Sequence, residues 1–135
     1  MKILALDTGD AWTGVALSDA IGMFAKPYTT IETKNLLQFL SEIFTKEPVQ
    51  KVVIGYPKTM RGTESDQTKK IVVLAKTLEE KFPTITWILW DERLSSKRAD
   101  NLKKAVTKEE KRKSHAIAAA FILTSYLDHL SFMGS

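Results

Sequence analysis

The sequence predicts an α/β fold on a five-stranded mixed sheet, three antiparallel strands followed by two parallel ones, flanked by helices. Three observations carry this. Short apolar runs broken by glycine and polar turns fill residues 2–31, as in a meander. Residues 51–56 (KVVIGY) form a continuous apolar run, the composition of a strand buried on both faces. From there on, strand-length runs alternate with segments whose apolar residues recur at helical spacing, which implies parallel strands joined by right-handed crossovers.

Taken in order, residues 2–7 and 15–18 read as two strands with Gly9 and Gly14 bracketing the turn between them, and residues 23–31 as a third. Leu36, Leu37, Leu40, Ile43 and Phe44 mark an amphipathic helix over 34–46, ended by Pro48. After the strand at 51–56, Ile71, Leu74, Ala75, Leu78 and Phe82 mark a second helix, and residues 84–90 form a fifth strand. Trp87 and Trp90, three apart in that strand, read as one core and one rim residue. Residues 95–105 read as a third helix, and 114–131, with Ile117, Ala120, Leu123, Leu127 and Leu130, as a long last one. The polar and charged segments 57–64 and 106–113 read as loops.

With 135 residues, 44% of them hydrophobic, and a mean hydropathy of -0.14, the chain has the size and composition expected of one soluble globular domain. No apolar stretch approaches the ~20 residues that cross a bilayer, and MKILALDTG lacks the apolar region and cleavage site of a secretion signal. The absence of cysteine excludes a disulfide framework and thiolate chemistry, so a cytoplasmic setting without membrane attachment is expected. The net charge is +4, and its distribution is more telling than its size. Between positions 97 and 113, Lys97, Arg98, Lys103, Lys104, Lys108, Lys111, Arg112 and Lys113 stand against only Asp100, Glu109 and Glu110, a local excess of five. Such a run is either a solvated surface or a track for phosphate backbones.

In open α/β sheets, ligands gather beyond the carboxyl ends of the strands. Asp7 ends the first strand there; Tyr56, Pro57 and Lys58 end the fourth, and Asp91, Glu92 and Arg93 the fifth. An ordinary structural role is open to each: Asp7 as an Asx-turn residue, Asp91 as a helix cap paired with Arg93, Ser95 or Ser96 as an N-cap. Their coincidence at one sheet edge points further. Carboxylates converging from two strand ends repel unless a cation lies between them, and hard divalent ions take such oxygen ligands.

The segments DTGDAWTGVALSD, VVIGYPKTMRGTES, DERLSS and HAIAAAFILTSYLD, in this order and over nearly the whole chain, resemble the RuvX/YqgF family of RNase H-like proteins. That family is described as Holliday junction resolvases and as nucleases that mature the 5′ end of pre-16S ribosomal RNA. The resemblance implies a single RNase H-like nuclease domain over residues 1–135 that hydrolyses phosphodiester bonds in structured nucleic acid. Processing of the rRNA 5′ end in ribosome biogenesis is the leading expectation, and resolution of DNA junctions the alternative. The implied site holds two Mg2+ or Mn2+ ions, with Asp7 as the first acidic ligand and Glu92, beside Asp91, as the acidic pair.

Two departures from the family pattern matter chemically. His115 stands where the family has an Asp, at the expected start of the last helix, and would complete both the metal and the catalytic set. A His offers one neutral nitrogen and suits manganese or zinc better than magnesium, which leaves open a catalytically weak RNA- or ribosome-binding protein. Ala11 and Trp12 replace a basic pair, which removes a phosphate contact; the indole either stacks on an unpaired base or packs against the core. Besides Trp12, the expected nucleic-acid contacts are Lys58, Arg61 and Arg93, then Ser95, Ser96, Lys97 and Arg98, then Lys103 and Lys104. Monomer and homodimer are both compatible with the sequence. A nucleotide-binding protein of the actin and sugar-kinase type shares the strand-Asp-Gly hairpin, but such proteins use two domains of this topology, and 135 residues match one.

Overall fold

The computed structural model of the chain describes the backbone of residues 1–56, 66–91 and 108–134, and the side chains of 1–56, 68–90 and 115–131. Strands β1 (Lys2–Thr8), β2 (Trp12–Ser18), β3 (Ala25–Glu32), β4 (Val49–Tyr56) and β5 (Thr86–Asp91) form one five-stranded sheet in the order β3-β2-β1-β4-β5. The pairs β1–β2 and β2–β3 are antiparallel, and β1–β4 and β4–β5 parallel, in agreement with the expected mixed sheet. A 3-10 turn (Thr33–Asn35) leads into α1 (Leu36–Lys46); α2 (Asp66–Lys81) lies between β4 and β5 in the chain, and α3 (Lys108–Gly134) follows them.

The two-residue alternation of a strand sorts β1 onto two faces. Leu4 and Leu6 join Val15, Leu17, Val52 and Ile54 beneath Leu36, Leu40 and Ile43 of α1 and Ile71 and Leu78 of α2. Ile3 and Ala5, on the other face, join Ala16 and Val53 against Ala119, Ala120, Leu123 and Leu127 of α3. The central strands β1 and β4 are therefore buried on both sides, which is why Lys51–Tyr56 reads as an unbroken apolar run.

Three expectations are corrected. Gly14 lies inside β2, opposite Asp7, and not in the turn. A strand glycine carries no side chain to show alternation and so imitates a turn residue. Residues 108–113 are helical and not a loop, since α3 begins at Lys108. Lys, Glu and Arg are good helix formers, and Glu109 stands four residues before Lys113, so charge density there supports a helix. Trp87 and Trp90 are both half-buried, on opposite faces: Trp87 meets Phe44 edge-on, and Trp90 meets Tyr126 edge-on. An odd spacing in a strand requires this split. The helix expected over 95–105 and the loop over 57–64 lie outside the described residues. No described helix is long and apolar enough to cross a membrane.

Candidate active site at the carboxyl end of β1

Asp7 continues the alternation of Ile3 and Ala5, so its carboxylate lies on the α3 face of β1, at the penultimate residue of the strand. Its antiparallel partner across β2 is Gly14. A Cβ on Gly14 would overlap the His115 carbonyl and stand 2.8 Å from the Ala116 nitrogen, closer than real contacts allow. The missing side chain therefore lets the α3 backbone lie directly on β2. Ala5 and Ala16 on the sheet and Ala116, Ala119 and Ala120 on the helix keep the rest of the approach short.

This approach brings His115 to Asp7. His115 Nδ1 lies 4.0 Å from Asp7 Oδ2, with the histidine side chain 30% exposed and the aspartate 13%. The gap exceeds hydrogen-bond length, so the two attract each other only when the imidazole is protonated. His115 is not at the start of the helix, as the sequence suggested; it follows Lys108 by seven residues, about two turns. A role as an N-terminal helix residue is thereby excluded, and facing Asp7 is what its position accomplishes.

The turn that carries Asp7 is fixed from below. The Gly9 amide donates to the Trp12 carbonyl at 2.9 Å, and the Thr33 amide to the Ala11 carbonyl at 3.0 Å. The Thr33 hydroxyl donates to the Gly9 carbonyl at 2.7 Å. Its single proton is thus committed, so the Thr13 hydroxyl, 2.9 Å away, is the donor of that second bond. Gly14, Thr13 and Thr33 are the residues that reading the sequence missed. Nothing local distinguishes these threonines from ordinary strand-end residues, whereas Gly14 could have been found by asking why a strand with β-branched neighbours contains a glycine.

Trp12 opens β2, pairs with Glu32 and shares the α3 face with Gly14 and Ala16, half-buried on the Asp7 side of the sheet. Asp91 closes β5 opposite Tyr56. Glu92, Lys58, Arg61 and Arg93 lie outside the described residues, as do Ser95, Ser96, Lys97, Arg98, Lys103 and Lys104. Among the described residues no group of three or more His, Cys, Asp and Glu gathers. What they supply is one carboxylate and one imidazole, oxygen and nitrogen donors facing each other at the sheet edge.

The chain matches the family model "RuvX: Holliday junction resolvase" over residues 1–129. A protein of Phocaeicola vulgatus named "Putative pre-16S rRNA nuclease" is 35% identical over 137 residues, covering 98% of this chain and 99% of that protein. Among solved structures, T. thermophilus RuvC in complex with a Holliday junction substrate superposes with a TM-score of 0.66 at 14% identity, covering 100% of this chain and 97% of that one. A sugar kinase from Cytophaga hutchinsonii superposes with a TM-score of 0.51 at 17% identity over 74% of this chain but only 39% of its own. The two structures share the fold, an RNase H-like mixed sheet, and the sequence matches give the lineage: the chain belongs to the RuvX family.

Proposed function

We propose that the chain is a divalent-metal-dependent nuclease of a single RNase H-like domain, acting on structured nucleic acid, with maturation of the 5′ end of pre-16S rRNA as its task. The observation that carries this is the convergence of Asp7 and His115, 4.0 Å apart across the side-chain-free surface of Gly14, in a chain of the RuvX family. The donor set fits a divalent ion. Two ligand atoms 4.0 Å apart fall within the span of one ion bonded to each at ~2.1 Å, and the carboxylate and imidazole pair suits manganese better than magnesium. When bound, such a metal lowers the pKa of a water and stabilises charge on a phosphate.

The residues divide the remaining work. Asp7 anchors the site from the rigid end of β1, and His115 from α3. Glu92, next in sequence after β5, is the proposed second carboxylate, with Asp91 beside it. The basic residues between positions 97 and 113, with Lys58, Arg61 and Arg93, are proposed to hold the phosphate backbone, so affinity falls as salt rises. Trp12, on the same side of the sheet as Asp7, is proposed to stack on an unpaired base. Neither the choice between monomer and dimer nor ribosome association enters the chemistry.

The test is cleavage of a precursor rRNA 5′ fragment and a four-way DNA junction side by side, with magnesium and with manganese. The expected result is cleavage of the RNA, stronger with manganese, and its loss in Asp7→Asn; activity unchanged in Asp7→Asn refutes the reading. Preferred cutting of the junction would instead make the chain a DNA resolvase. A second reading, a catalytically weak RNA- or ribosome-binding protein, is favoured by the single neutral nitrogen of His115 at a position facing Asp7. Salt-sensitive RNA binding with no cleavage in either metal would select it.

A further inference from the structure

On the face of β1 opposite Asp7, a cavity of about 70 Å³ lies between the β1–β2 turn and α2, lined by Thr8, Gly9, Asp10, Lys70, Ile71 and Leu74. Thr8 follows Asp7 directly, so strand alternation sends its side chain to the α2 face. Its hydroxyl is buried and lacks a hydrogen-bond partner among the described residues. A buried hydroxyl left unpaired is costly, so it marks a place where a water or a ligand completes the bonding. At the mouth, Lys70 Nζ stands 3.5 Å from Asp10 Oδ1, with 69% and 83% of the two side chains exposed. A pair this long and this exposed is weak and opens readily.

Charge decides the class of ligand. Among the described residues the mouth holds one cation and one anion: a phosphate would meet the repulsion of Asp10 as well as the attraction of Lys70, and a metal ion the reverse. A neutral hydroxyl suits every group present. The Asp10 carboxylate accepts its proton, the Lys70 ammonium donates to its oxygen, and the Thr8 hydroxyl does either. Ile71 and Leu74 give a sugar ring an apolar wall. A carboxylate against a ribose hydroxyl is a recurring mode of recognition, and the 2′-hydroxyl is the group that separates RNA from DNA. Resting on the nuclease reading above, we infer that the cavity of Thr8, Asp10 and Lys70 receives a ribose hydroxyl of a nucleotide flanking the phosphate at Asp7, and so selects RNA over DNA.

The test is equilibrium binding without divalent metal, so that no strand is cut. A labelled hairpin with a single-stranded 5′ tail is made as RNA, as DNA and as 2′-O-methyl RNA, and the affinity of the full chain for each is read by fluorescence anisotropy at one salt concentration. Wild-type protein is expected to bind RNA about tenfold tighter than either analogue, the worth of one hydrogen bond to a charged group. Asp10→Asn and Thr8→Val are each expected to bring the ratio of RNA to DNA affinity below about twofold, with DNA affinity unchanged in Thr8→Val and raised in Asp10→Asn by the lost repulsion, and with melting curves confirming that both are folded. Equal affinity for the three ligands in the wild type, or an undiminished preference in both variants, overturns the inference and leaves the nuclease reading standing. Displacement of the RNA by a free ribonucleoside in wild type but not in Asp10→Asn would assign the cavity to a small molecule and overturn the RNA assignment. Binding to none of the three overturns both proposals.

Discussion

The two faces of the sheet are built on different plans. Toward α1 and α2 the sheet presents Leu4, Leu6, Val15, Leu17, Val52 and Ile54, and the helices answer with Leu40, Ile43, Ile71 and Leu78. Toward the middle of α3, beside His115, it presents Ala5, Gly14 and Ala16, answered by Ala116, Ala119 and Ala120. Large interlocking side chains hold layers apart and remove much apolar surface from water, while small ones let backbones approach and remove less. Both faces gain stability from burial, the α3 face through Ile122, Leu123, Tyr126 and Leu127 farther along the helix. The thin side is where the backbone of a helix comes close enough to set His115 against Asp7. The candidate site, two side chains from distant parts of the chain 4.0 Å apart, thus lies where the facing side chains are smallest.

The contrast can be broken or sharpened by mutation. The largest expected effect on stability is on the thick side: Leu78→Ala, at a fully buried position, should lower the free energy of unfolding by ~2–5 kcal/mol in a denaturant titration and leave cleavage per folded molecule unchanged. Gly14→Ala on the thin side should cost less stability, ~1–3 kcal/mol for overpacking, yet remove most cleavage and most stabilisation by manganese, because α3 must lift from β2. A Gly14→Ala protein that cuts at the wild-type rate would end the distinction between the faces. Thr8→Val should raise the free energy of unfolding by ~1 kcal/mol, since it removes a buried hydroxyl without a partner among the described residues while keeping the shape. Its loss of RNA preference would then be a trade of function for stability.

The smallest effect belongs to the far end of the sheet. Burial pushes the Asp19 carboxyl up, but the amides of Met23 and Phe24, at 2.8 and 3.2 Å, outweigh it and hold it below its ordinary value. A carboxylate with a lowered folded value contributes stability above its unfolded value and loses it as pH falls through the folded one. Asp19→Asn should therefore lower the thermal midpoint slightly at pH 7, and the difference from wild type should vanish in acid. Cleavage at neutral pH should not change.

The sheet was legible because its signals are local. The unbroken apolar run of β4 and the alternations around it specify parallel and antiparallel strands without knowledge of what they touch. Leu36, Leu40 and Ile43, or Ile71 and Leu78, announce their helices in the same way. Gly14 was misread because the reason for it is not local: it answers to a helix about a hundred residues later in the chain. The same holds for His115, whose type could be read as a departure from a family pattern but whose position two turns inside α3 could not. Residues 108–113 show a different failure, charge taken for the mark of a loop where helix propensity was the stronger guide. Thr33 gave no sign at all, since its task is to bond carbonyls in a turn that precedes it by more than twenty residues.

The turn after β1 is tied to the far end of β3. Its shape is held by backbone groups of Gly9, Ala11 and Trp12 and by the hydroxyls of Thr13 and Thr33. Thr33, just past the end of β3, closes the turn with its amide on Ala11 and its hydroxyl on Gly9, and so clasps the strand end that carries Asp7. One side chain more than twenty residues away in sequence thus positions the end of β1, so the placement of Asp7 depends on where β3 ends as much as on its own strand.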